Sequence, residues 1–222
     1  MNLILINSND NDSFAALYIY NRLHIVKSSE FVKKGEKRGR SPDKLINCLV
    51  KLRSSYDFGK IDAVSVTIGP GSFTGIRVGL ALAKGIAGSL DKPLIPINNF
   101  DLQFERIINK DPLSKYCILI AAKEPEFYFS ITKNFKQKKM GCANIEEIAG
   151  FLGKNTIIAG NFNNDSVLNH SYFKYIDMKK AFTDEHNAML DLSKRYYSEG
   201  RLYKPESVEP LYIKEFAFKK NR

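Results

Sequence analysis

The stretch VSVTIGPGSFTGIRVGLALAKG, residues 64–85, leads from an apolar strand through a turn of glycine and proline into a helix. Phosphate-binding loops begin in the same way, so the spacing of the glycines decides the reading. A nucleotide P-loop requires GxxxxGK[ST]. Here Gly69, Gly71 and Gly75 are spaced differently, and Ile76-Arg77 stands where the Lys-Ser pair belongs. The dinucleotide fingerprint GxGxxG fails by one residue, because Thr74 occupies the third glycine position. The helix is more informative than the turn. Gly75, Gly79, Ala83 and Ala87 recur at every fourth residue as a stripe of small side chains. Gly79 and Gly85 in the helix interior cost about 2 kcal/mol together relative to alanine. Close approach of another backbone along the stripe offsets that cost, with Val78, Leu80, Leu82 and Ile86 filling the neighbouring grooves. Two packings satisfy this expectation: the helix lies on its own sheet, or it docks across a subunit interface. Ser72 is placed to cap the helix.

Working outward, the chain repeats one design. LILINSNDNDSFAALYIY (3–20) reads as a strand, a polar turn carrying Asp10 and Asp12, and a second strand alternating around Ala15, Leu17 and Ile19. CILIAAKEPEFYFSIT (117–132) has the same form, with Phe127, Phe129 and Ile131 alternating after a turn at Lys123 to Glu126. Each hairpin is followed, after a helical segment, by an apolar strand ending in glycine: AVSVTIG (63–69) and TIIAG (156–160). A duplicated α/β lobe is therefore expected. We expect a division into 1–98 and 99–222, with Leu94 to Asn99, flanked and interrupted by Pro93 and Pro96, as the crossover. SPDKLINCLVKLRSSY reads as a helix with Ser41 as N-cap and Pro42 at its first position. Its apolar stripe is Leu45, Leu49 and Leu52, widened by Ile46 and Val50. The tail SVEPLYIKEFAFKK reads as an extended returning segment.

Composition narrows the classes. At 222 residues the chain is long enough for one domain or two small ones, and no window approaches the roughly 18 uninterrupted apolar residues of a membrane span. Three well-separated cysteines, Cys48, Cys117 and Cys142, without a CxxC pair, predict a reducing cytoplasm rather than a disulfide framework or a zinc site. The net charge of +10 comes with basic clusters of lysine and arginine at 33–40, of lysine at 133–139 and of both at the C-terminal end, which read either as solvated faces or as RNA contacts. Catalytic groups are sparse. His24, His170 and His186 stand apart without a metal-ligand spacing. Ser72 in GPGSFTG is not the nucleophile of a GxSxG elbow. No catalytic, cofactor-binding or metal-binding residue is expected, and no cofactor.

GPGSFTGIRVGLALAKGIA after the strand AVSVTI resembles the signature of the TsaB (YeaZ) family, which serves tRNA threonylcarbamoyladenosine biosynthesis in bacteria. The opening hairpin, the second hairpin ending in EFYFSI, the element IIAGN and the closing VEPLYIK follow in the family's order. The resemblance implies a duplicated actin-like, Hsp70-like (ribonuclease-H-like) fold of two lobes. It also implies a noncatalytic subunit that pairs with a TsaD-type transferase acting on an adenosine beside the anticodon. A TsaE-type ATPase joins the pair, tRNA is met indirectly, and a homodimer is open to the chain alone. Pairing in the family uses the two helices of the first lobe, which map onto Ser41 to Arg53 and Ser72 to Ser89. The expected partner-binding residues are thus Leu45, Leu49, Leu52, Gly75, Val78, Gly79, Leu82 and Ala83. This sequence departs from the family at Asn7, where Asp is frequent, at Ala121-Ala122-Lys123, where Asp-Ala-Arg is frequent, and in RGRSPDK, which lacks a common His. Asn7 is a poor magnesium anchor. The competing readings are a glycoprotease-like peptidase, an actin-like ATPase or kinase, and a stand-alone RNA-binding module.

Overall fold

A computed structural model of the chain describes residues 1–8, 13–32, 42–153, 155–161, 174–175 and 182–213. In chain order its elements are β1 (Leu3–Asn7), β2 (Phe14–Ile19), β3 (Arg22–Lys27), α1 (Pro42–Ser55), β4 (Ala63–Gly69), α2 (Phe73–Ser89), β5 (Leu94–Asn98), α3 (Asn99–Arg106), β6 (Lys115–Ala121), β7 (Glu126–Lys133), β8 (Lys136–Asn144), α4 (Ile145–Phe151), β9 (Ile157–Asn161), β10 (Lys174–Tyr175) and α5 (Glu185–Ser198). The sequence expectations at Asp10, Asp12, Ser41, His170, the 33–40 basic cluster and the tail beyond Ile213 lie outside the described residues.

The first lobe is a five-stranded sheet in the order β3-β2-β1-β4-β5, antiparallel across the hairpin and parallel from β1 to β4 and β4 to β5. Every residue of β1 is buried. Strand alternation sends its side chains to two different cores. Ile4 and Ile6, with Leu17, Val64 and Val66, pack under Leu45, Leu49, Leu52, Leu80 and Ala83 of α1 and α2. Leu3 and Leu5, with Ala16, Ile95 and Ile97, pack under Leu102 of α3 and Met189 and Leu192 of α5. The α5 helix ends at a left-handed glycine, Gly200 (φ 71°), the usual terminator for a helix.

The second lobe repeats the arrangement. Its order β10-β9-β6-β7-β8, read from β8, is again hairpin strands, leading strand, then two parallel strands. Its core gathers Cys117, Leu119, Phe127, Phe129, Ile131 and Ile158 against Ile145 and Ile148 of α4. Each lobe therefore carries the same strand plan, and the duplicated actin-like α/β fold is present.

Two expectations require correction. Leu94 to Asn99 is not a crossover between lobes: residues 94–98 form β5, paired parallel with Val64 through Gly69 across a bulge between Thr67 and Gly69. Pro96 is tolerated there because β5 lies at the sheet edge. The boundary at 98/99 moves as well. The first compact unit is Met1–Arg106 with Thr183–Pro210, and the second is Ile107–Phe182 with the chain from Leu211. The cause is α5, whose apolar side returns to cover the second face of the first sheet. Behind it, Tyr203 pairs with Leu94 through both backbone hydrogen bonds, at 2.8 and 3.0 Å, and the described part of the expected returning tail places Val208 in the first core.

Candidate functional site

Two regions of the first lobe carry the residues singled out by the sequence: the turn at Gly69–Ser72 and the helix pair α1/α2. At the turn, Gly69 (φ 110°) and Gly71 (φ 154°) occupy backbone conformations that side chains disfavour. Asn99 Nδ2 donates to the Pro70 carbonyl at 2.8 Å, and Asn98 Oδ1 accepts from the Phe100 amide at 2.8 Å, so the turn is tied to the start of α3. Ser72 Oγ accepts from the Gly75 amide at 3.3 Å and caps α2, as expected. Asn7, at the end of β1, is buried, and its Oδ1 accepts from Thr67 Oγ1 at 3.3 Å. The β1 end thus presents a buried amide bonded to Thr67 rather than a carboxylate.

The small-residue stripe faces the lobe's own sheet. A Cβ added at Gly75 would collide with the Ser8 carbonyl, and one added at Gly79 would come within 2.9 Å of the Ser8 Cβ. Ala83 and Ala87 are fully buried. On α1, Leu45, Leu49 and Leu52 are buried around Cys48. Leu45, Leu49, Leu52, Gly79 and Ala83 are therefore buried within this lobe, and half-buried Gly75 packs against the Ser8 backbone, which corrects their expected place against a partner. Of the eight expected partner-binding residues, Gly75, Val78 and Leu82 are half-buried, and Val78 and Leu82 turn side chains partly to solvent.

The outward apolar residues are others. Ile46 is 41% exposed and Val50 60%, one helical turn apart on α1. The sequence reading took them as an extension of the Leu45/Leu49/Leu52 stripe. Cys48, which it left out, is the signal that separates them. On a helical wheel Cys48 lies beyond Leu45 and Leu52 on the side away from Ile46 and Val50, so it draws the buried arc away from those two residues. The neighbouring helix α2 exposes Phe73, Arg77, Ala81 and Gly85. The Arg77 guanidinium lies 3.6 Å above the Phe73 ring, which orders that end of the face.

Titratable groups elsewhere have structural explanations. His24 Nδ1 shares a 2.9 Å hydrogen bond with Tyr56 O–H. Burial lowers the pKa of His186, against the opposing pull of Asp184, and its ring packs edge-on to Phe14. Burial pushes the Cys117 thiol up to about 12. Among the described residues, no cluster of three His, Cys, Asp or Glu could hold a metal ion. No helix among them is long and apolar enough to cross a membrane.

The family described as "TsaD: tRNA N6-adenosine threonylcarbamoyltransferase" matches residues 44–183. The chain is similar to the tRNA threonylcarbamoyladenosine biosynthesis protein TsaB of Haemophilus influenzae, 36% identical over 77 residues that cover 35% of this chain and 33% of that protein. A tRNA N6-adenosine threonylcarbamoyltransferase of Clostridium perfringens is 54% identical over 44 residues, 20% of this chain and 13% of that one. The chain thus spans about a third of the length of the TsaB relative it matches, and less of the transferase. Among solved structures, YeaZ from Pseudomonas aeruginosa superposes with a TM-score of 0.73 at 17% identity, over 96% of this chain and 99% of that one. That likeness extends the shared fold to nearly the whole chain.

Proposed function

Because the chain belongs to the family of the tRNA N6-adenosine threonylcarbamoyltransferase TsaD, as one of its TsaB/YeaZ members, we propose that it is a noncatalytic subunit in forming threonylcarbamoyladenosine on tRNA. Its task is to pair with a TsaD-type transferase subunit and support that subunit's chemistry. The observation that carries this reading is the outward face of α1 and α2. Ile46 and Val50 are exposed although the inner face of the same helix already fills a core, and α2, which packs on α1, adds the half-buried Val78 and Leu82. An exposed apolar strip on a helix pair is the feature a partner subunit covers.

Asn7 supports the noncatalytic part of the reading. An amide bonded to Thr67 stands where an actin-like ATPase would order magnesium with a carboxylate. A TsaE-type ATPase joins the pair, the same face holds a homodimer when the transferase is absent, and the setting is the reducing cytoplasm.

The test is co-purification with the TsaD-type subunit from the same genome, comparing wild type with Ile46→Glu/Val50→Glu. Both positions face solvent, so the variant keeps the wild-type melting temperature, and it loses the complex. An unchanged complex, or none with wild type, sinks the reading.

A further inference from the structure

The β7–β8 hairpin of the second lobe has features that its fold does not require. Between Phe127 and Ala143 it carries Lys133, Lys136, Lys138 and Lys139 and no aspartate or glutamate. All four lysines are exposed, and none forms an ion pair with a described residue. Lys133 and Lys136 are directly paired across the two strands, flanking the turn. Like charges in that position repel, and the repulsion destabilises a hairpin.

The register adds to the concentration of charge. Lys136 and Lys139 are three residues apart, which in a regular strand places them on opposite faces. A bulge between Ile131 and Thr132 changes this: Lys139 pairs with Ile131 while Lys136 pairs with Lys133, and Lys138 is the extra residue. Lys133, Lys136 and Lys139 therefore share one face. The Lys139 ammonium is held 3.2 Å above the Phe151 ring, which fixes its position.

The turn itself is the second independent feature. Asn134 (φ 53°) and Phe135 (φ 56°) form a two-residue connection with both residues left-handed, a type I′ turn, whose second position ordinarily takes glycine. A bulky aromatic there strains the backbone, and this Phe135 is 51% exposed. Folding alone favours glycine at this site. A strained, half-exposed aromatic between two opposed lysines matches what a single-stranded nucleic acid requires: a ring on which an unpaired base stacks, with cations for the flanking phosphates.

We propose that the β7–β8 hairpin is an RNA-contact surface, with Phe135 stacking on an unpaired base and Lys133, Lys136 and Lys139, which share one face, contacting the adjacent phosphates. It rests on the tRNA-modification reading only for the choice of probe. Lysine on an edge strand also blocks edge-to-edge pairing between sheets, but that role calls for neither an aromatic at the tip nor lysines opposed across the turn.

The test is anisotropy titration of the full chain against a labelled, unmodified tRNA transcript, between about 50 and 200 mM salt. Lys133→Gln/Lys136→Gln/Lys139→Gln weakens binding roughly tenfold or more and lowers the salt slope by about 2. Phe135→Gly weakens binding roughly fivefold or more, while its melting temperature stays equal to wild type or rises. Wild-type affinity and salt slope in the lysine variant overturn the proposal, even if that variant aggregates. So does unchanged affinity in Phe135→Gly, absence of tRNA binding by wild type, or equal displacement of the tRNA by polyglutamate. Pairing with the TsaD-type subunit, measured on the same variants, is expected to be intact. Failure here therefore leaves the pairing reading standing, and failure of pairing leaves this one.

Discussion

Gly79 of α2 lies directly against Ser8 at the end of β1: a Cβ built on the glycine would overlap the Ser8 hydroxyl and come within 2.9 Å of its Cβ. Beyond Ser8 the next atom is Cγ2 of Ile6, at an ordinary 3.8 Å. The helix tolerates an interior glycine because the strand end occupies the missing side chain's space. Gly79→Ala is therefore expected to destabilise the protein by about 1–3 kcal/mol as an overpacked core residue. In a Ser8→Gly background the same substitution is expected to cost far less, since the obstructing atoms are gone. Chemical denaturation of the four proteins measures the coupling; additive effects would mean that Ser8 is not what Gly79 accommodates.

Gly85 gives the opposite expectation. It sits in the interior of the same helix, exposed, and a Cβ added there meets nothing within 4 Å. The lobe's own packing supplies no reason for a glycine. Gly85→Ala should raise the stability of the isolated chain by about 0.5–1 kcal/mol through lower unfolded-state entropy and better helix propensity. A loss of stability in thermal melts would contradict the open surface at this position.

How far the sequence carries is visible in these two glycines. The four-residue stripe announces close packing on one side of α2, but periodicity does not say whether the approaching backbone is the lobe's own or a partner's. The hairpins and the glycine-ended strands were legible because alternating apolar residues and Gly/Pro turns are local signals. β3 and β8 were not, since Arg22, Lys27 and the lysines of β8 mask the strand pattern. β5 was obscured by Pro93 and Pro96, which read as linker residues until the edge position is known. The lobe boundary is the least local feature. The contact of Met189 and Leu192 with Leu3 and Leu5 joins the two ends of the chain, and no window of sequence contains it. The turn at Phe135 was missed because Asn-Phe is not the Asn-Gly that marks a hairpin.

Asp101 of α3 predicts a pH effect on stability. Burial raises its carboxyl pKa, opposed by the hydrogen bond from Tyr196 O–H at 3.0 Å and by the charges of Arg201 and Arg195, while Glu105 raises it further. A carboxyl with a higher pKa folded than unfolded takes up protons on folding between the two values. Its contribution is most favourable below the ordinary aspartate range and is lost as pH rises to the raised value. Asp101→Asn keeps an acceptor for Tyr196 without the buried charge. The variant should melt close to wild type near about pH 4 and above it near about pH 7. A constant difference at all pH values would show that Asp101 titrates alike in both states.

The cysteines give the most direct check of the second lobe. Thiolate, not thiol, reacts with disulfide reagents. Cys117 on β6 is fully buried, with its thiol pushed up to about 12, and Cys48 on α1 is fully buried under the first core. Cys142 on the edge strand β8 is partly exposed. In the native protein near about pH 8, one thiol should react quickly with an aromatic disulfide and two should react only after denaturation. Cys142→Ser should abolish the fast phase without changing the melting temperature. Fast reaction of a second thiol in native buffer would mean that β6 or α1 opens locally far below the cost of global unfolding.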